Sequence, residues 1–106
     1  MKLGIIISTS EAETVFNALR LGSFALEKGD QVGVFLVGKA VELDRIEDER
    51  FNVRDQAVVF HESGGRIMAC GTCLKLRESG GSELCPLSTM QDLYELVCEA
   101  DRVVCF

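Results

Sequence analysis

The chain has 106 residues, 11 Lys plus Arg against 17 Asp plus Glu for a net charge of -6, and 47% hydrophobic residues. That composition describes one acidic domain with a single core. No basic run is present to neutralise phosphates, which excludes nucleic acid as the main partner, and no apolar stretch nears the roughly 20 residues of a membrane span.

Leu3-Gly4-Ile5-Ile6-Ile7, within Lys2 to Ser8, is aliphatic on both faces and predicts a central parallel strand covered by helices. Ser10 and Glu13 have capping-box spacing, and Val15, Leu19, Gly22 and Leu26 recur at helical intervals until Lys28 and Gly29 close the helix. Asp30 to Val37 predicts a second buried strand. The crowded charges of Gly38 to Phe51 predict a solvated loop or short helix, with partner docking as the alternative use of that face. Asn52 caps a third segment that runs as helix through Glu62 to Gly64-Gly65. His61, near its end, suits a partner for the helix C-terminus better than a base or ligand.

A short strand over Arg66 to Ala69 leads to Cys70, then a helix over Gly71 to Arg77 that Gly80-Gly81 interrupts. Leu84 to Leu87 suggests a fourth strand, and Ser88 or Thr89 caps the last helix. Met90, Leu93, Tyr94 and Val97 form its apolar stripe, and Arg102 to Phe106 is the fifth strand. Strict alternation of strands and helices predicts a three-layer α/β/α sandwich, one domain over 1–106, with a mainly parallel five-stranded sheet. Ligands and chemistry in such sheets collect at the carboxyl ends of strands. Those ends are Ser8 to Ser10, Gly38 to Ala40 and Cys70 to Cys73. The first turn lacks the glycine pattern of a dinucleotide site or P-loop, so Ser8, Thr9 and Ser10 enter only as hydrogen-bonding support.

Five cysteines are too odd a number for internal pairing. Met1 to Ile7 has no signal-peptide anatomy, which points to the cytoplasm, where thiols are normally reduced. Cys70-Gly71-Thr72-Cys73 stands where a strand becomes a helix. A thiolate there gains from unpaired backbone N–H groups, which lower a cysteine pKa; Gly71 permits the tight turn and Lys75 adds a cation. Cys70 is the expected nucleophile and Cys73 its resolving partner, the alternative being that both thiols simply fill apolar space. Cys85, beside the single proline, either folds back toward Cys70 or has no role. Cys98 and Cys105, among apolar neighbours, are expected in the core.

The chain resembles the DsrE/DsrF-like sulfur-relay proteins, most closely their YchN-like branch. The resemblance rests on Phe16-Asn17-Ala18-Leu19-Arg20-Leu21, Val34-Phe35-Leu36, Cys70-Gly71-Thr72-Cys73 and Ala100-Asp101-Arg102-Val103-Val104. It implies a trimer or hexamer, no cofactor, and a cysteine, by position Cys70, that carries sulfane sulfur as a persulfide between donor and acceptor proteins or small thiols. Cys73, Cys85, Cys98 and Cys105 depart from a family pattern that often has one cysteine. Three functions compete: a sulfur carrier or sulfurtransferase, a dithiol-disulfide oxidoreductase using Cys70 and Cys73, and a non-catalytic zinc-binding or assembly module built on Cys70, Cys73 and Cys85 with a fourth ligand from His61 or a neighbouring subunit. Against a thioredoxin-like oxidoreductase stand the absence of tryptophan and a motif after the third strand rather than an early one.

Overall fold

A computed structural model describes residues 1–106 in full. Strands β1 (Lys2–Ile7), β2 (Gln31–Leu36), β3 (Arg66–Cys70), β4 (Leu87–Ser88) and β5 (Arg102–Cys105) form one sheet in the order β4-β3-β2-β1-β5. Every pairing is parallel. Helices α1 (Ala12–Glu27), α2 (Val53–Glu62), α3 (Gly71–Leu76) and α4 (Met90–Glu99) connect them, and a kinked 3-10 segment, Gly38–Arg45, leads from β2 toward α2. The expected three-layer α/β/α architecture is the one observed.

The strands from β1 to β4 advance in one direction across the sheet, and the last connection returns to place β5 beside β1. Because parallel crossovers are right-handed, reversing direction puts α4 on the opposite face from α1 and α2. Ile5, Ile7, Val34, Leu36 and Ala69 are fully buried, as are Val15, Leu19, Ala57 and Phe60 from α1 and α2. Each of the Val, Leu, Ile and Phe side chains contributes roughly 1.5–3 kcal/mol of burial and each alanine less, so this half of the molecule holds most of the core. On the other face, Gly4 and Gly33 are register partners in adjacent strands, and Leu96 of α4 rests over both.

Several local expectations change. The cap of α1 is Glu11, whose carboxylate accepts from the Glu13 N–H at 2.6 Å and the Thr14 hydroxyl at 3.0 Å, so Ser10 takes no part; the helix begins one residue too late for a Ser10–Glu13 box. Asn52 caps α2 as expected, accepting from the Asp55 N–H, and Thr89 rather than Ser88 forms a full capping box with Asp92. The charged 38–51 stretch is not uniformly solvated, because Ala40, Val41 and Leu43 are buried under it. Helix α3 ends at Leu76, before the glycines, and β4 is Leu87–Ser88 rather than Leu84 to Leu87.

The largest correction concerns α4, which has no buried residue. Leu93 and Leu96 pack on the core, whereas Met90 and Tyr94 are 65% and 64% exposed and Val97 is also open. The predicted stripe therefore faces mainly outward. Cys98 and Cys105 are exposed instead of core residues, since Cys98 shares the outer surface of α4 and β5 is an edge strand with one neighbour.

A Cβ at residue 33 would stand 2.8 Å from Leu96 Cδ1. Gly33→Val is expected to lower stability by about 1–3 kcal/mol through overpacking, whereas Gly80→Ala, with nothing within 4 Å, should be near neutral; urea unfolding of the two variants checks this.

Candidate functional site

Parallel pairing brings the carboxyl ends of β1, β2 and β3 to one edge of the molecule. The chain leaves β2 through Val37, whose N–H donates to the Ile7 carbonyl at 3.0 Å, and enters a left-handed residue, Gly38, at φ 57. That conformation suits glycine. It also aims the Gly38 N–H at Cys73 Sγ, 3.3 Å away. A backbone amide from the end of one strand thus meets a sulfur in the first turn of the helix after the next strand.

Cys70 is the last residue of β3 and the N-cap of α3, yet its side chain makes no capping hydrogen bond. It is 5% exposed and belongs to the apolar core cluster. Cys73 is half-buried and packs against that cluster. The two cysteines thus stand at the N-cap and third positions of one helix, with unequal access. All five cysteines are unpaired. Helix α3 spans only six residues, which limits the dipole that the sequence pattern assigned to Cys70.

Gly71 stands where space is tight, since a Cβ there would meet the Ser88 carbonyl oxygen at 3.0 Å and the Leu87 side chain just beyond. Thr72 and Lys75 are exposed. Neither makes a hydrogen bond or ion pair with the cysteines. Ser8 is drawn into the sheet terminus, where its N–H and hydroxyl both donate to the Phe106 carbonyl at 2.9 and 3.1 Å. Thr9 accepts from the Glu11 N–H, and Ser10 lies on an open depression beside Glu42 and Arg45. These three therefore serve the fold around the site rather than touching the thiols.

Cys85 goes elsewhere. It is 2% exposed and lines a small cavity of about 40 Å³ with Leu74, Asp44 and Arg77, which neither Cys70 nor Cys73 borders. The Cys85 N–H donates to Ser82 Oγ at 3.1 Å, and Ser82 Oγ donates to Asp44 at 2.7 Å. Asp44 also pairs with Arg54 at 2.9 Å, although Arg54 is open enough that the pair is worth at most about 1 kcal/mol. Burial, reinforced by the Asp44 carboxylate, pushes the Cys85 thiol up to about 12. No three His, Cys, Asp or Glu side chains come together in a metal-binding arrangement, so Cys70, Cys73, Cys85 and His61 are not assembled as a zinc site. His61 is exposed in the last turn of α2.

Sequence reasoning singled out Gly38 to Ala40 as a strand end but missed its donor role, along with Arg77, which donates to the Cys73 carbonyl at 3.1 Å and lies 3.7 Å from Glu42. The signal for Gly38 was a glycine directly after a buried strand. Nothing in the sequence indicated Arg77.

The DsrE/DsrF-like family matches the chain over residues 1–106. The chain belongs to the DsrE/DsrF-like family. Two archaeal relatives are similar over nearly their full length: an uncharacterised protein of Methanopyrus kandleri, 35% identical over 96% of this chain and 93% of its own, and one of Methanocaldococcus jannaschii, 32% identical over 100% of both. The fold of this DsrE/DsrF-like chain is shared with the crystal structure of the ychN protein from E. coli, at a TM-score of 0.84, 21% identity and 100% coverage of both chains. A conserved protein of unknown function from Bacteroides thetaiotaomicron follows at a TM-score of 0.78 and 22% identity, covering 99% of this chain and 94% of the other. No helix is long and apolar enough to cross a membrane.

A raised thiol pKa stabilises nothing beyond the unfolded chain's own value; the folded state is penalised once the unfolded thiol ionises. Stability should therefore fall as pH rises from about 9 toward 12. Urea unfolding at pH 8 and pH 10 is expected to show a smaller loss for Cys85→Ala than for the wild type.

Proposed function

We propose that this protein is a sulfur carrier or sulfurtransferase of a sulfur-relay system, holding sulfane sulfur as a persulfide on Cys70. The observation that carries the reading is the placement of Cys70 in a DsrE/DsrF-like fold: a nearly buried thiol at the carboxyl end of β3, where the chain turns directly into α3. In the loading step, the Cys70 thiolate attacks the outer sulfur of a donor persulfide, R–S–SH. The donor S–S bond breaks, the R–S thiolate leaves, and Cys70–S–SH remains. An acceptor thiolate repeats the step in reverse roles.

Burial suits that task, because a persulfide in an apolar corner is screened from bulk solvent and open only to a thiol that approaches along one line. The acidic balance of the chain leaves thiol-bearing proteins and small thiols, rather than nucleic acid, as exchange partners. Dithiol-disulfide exchange is the second reading, favoured by the N-cap and third-position arrangement of Cys70 and Cys73. Incubating reduced protein with glutathione persulfide and weighing the intact chain separates them: one added sulfur on Cys73→Ser, which has no neighbouring thiol to displace it, and none on the double variant that also carries Cys70→Ser is expected, and an equal gain on both removes Cys70 from the role.

The same reading includes assembly as a homo-oligomer, with a trimer or hexamer as the family expectation. Its support is the open side of α4, where Met90, Tyr94 and Val97 lie outward, together with the unpaired edge of β5 and the exposed Val103. A second copy is the occupant of matching chemistry, since self-association buries such a face on each subunit at once. Light scattering should give a mass above that of one chain for wild type and a smaller species for Tyr94→Glu; a strict wild-type monomer contradicts the assignment.

A further inference from the structure

Cys73 is left over by a carrier that needs one thiol, and its surroundings are specific. Its sulfur accepts a backbone N–H from Gly38 at 3.3 Å, its carbonyl accepts from Arg77 at 3.1 Å, and its side chain is half-buried beside the more deeply buried Cys70. The glycine supplying that donor has φ 57, and its amide is free for the sulfur because the ladder between β1 and β2 ends with the preceding Val37 N–H. Cys70 and Cys73 also stand at the N-cap and third positions of one helix, a C-x-x-C spacing that lets two thiols be joined across the first turn.

Resting on the carrier reading above, we propose that Cys73 is the discharge residue of this site, which makes the protein able to reduce bound sulfane sulfur to hydrosulfide. The Cys73 thiolate attacks Sγ of Cys70–S–SH, the inner sulfur. The Cys70 S–SH bond breaks, its electron pair leaves with the terminal sulfur as HS⁻, and a Cys70–Cys73 disulfide forms. Two electrons from the cysteine pair have then reduced one sulfane sulfur. A protein or small-molecule dithiol, oxidised in turn to its own disulfide, restores both thiols. Transfer of sulfur to an external acceptor and internal discharge thus compete for one persulfide, and the more accessible Cys73 decides between them when no acceptor is docked.

The test loads reduced wild type, Cys73→Ser and Cys73→Ala with glutathione persulfide, removes the donor, and follows hydrosulfide release beside the intact mass and peptide map. Wild type is expected to release one hydrosulfide per loaded chain and to end with a Cys70–Cys73 disulfide, restored to thiols by dithiothreitol, while both variants retain the added sulfur at least ten times longer. Discharge from the variants at the wild-type rate, or a wild type that keeps its sulfur and forms no disulfide, overturns the role of Cys73 and leaves the carrier reading standing. Failure of all three proteins to gain sulfur on Cys70 overturns the carrier reading, and this one with it.

Discussion

Parallel pairing between successive strands requires a crossover, and the right-handedness of crossovers determines which face each connecting helix covers. Here the chain moves one way through β1, β2, β3 and β4 and turns back once to reach β5. Two consequences follow from that single reversal. The helices α1 and α2 share one face and build a dense core with Ile5, Val34 and Phe60, while α4 alone serves the other face of five strands. All strand ends of one polarity fall on the same side, so residues 30 or more apart in sequence, such as Gly38 and Cys73, become neighbours without any contact between their helices being needed.

The chemistry at those ends is set by what the backbone does there. A strand that ends leaves amides without a ladder partner, and each must find an acceptor. Ser8 and Phe106 satisfy one such end between themselves. At the end of β2 the acceptor is a sulfur. The 79–86 loop shows the contrasting case, in which a thiol is withdrawn from solvent: Cys85 is buried against a small cavity with the Asp44 carboxylate beside it, which holds it protonated. Five thiols of the same intrinsic chemistry therefore divide into two at the strand-to-helix junction, a buried neutral one and two at the surface.

Fold class and element order were legible because the strands are aliphatic on both faces and the helices keep their period. Asn52 and Gly29 marked element ends by local chemistry that tertiary structure had no reason to override. Ser10 failed because Glu11, one residue later, reaches the same amides with a longer arm. The Met90, Leu93, Tyr94, Val97 stripe failed for a different reason: periodicity reports that one side of a helix is apolar, not whether its own chain covers that side. Cys98 and Cys105 went with it, since apolar neighbours in sequence gave no measure of their distance from the core. In the site, Cys70 and Cys73 could be located from their motif, but their unequal burial and the Gly38 donor depend on the register of β2 against β3, which no single segment encodes.

The paired glycines beneath Leu96 act as a keyway. A helix resting on a flat aliphatic surface can roll about its long axis until its greasiest side is hidden, and α4 would gain by doing so. With Leu96 seated over Gly4 and Gly33, rolling would lift that side chain onto the neighbouring ridges of the sheet, so the rotational setting of the helix is fixed from below. Tyr94 and Met90 are thereby held outward as a permanent property of the fold, presented in a rigid pattern to whatever meets them.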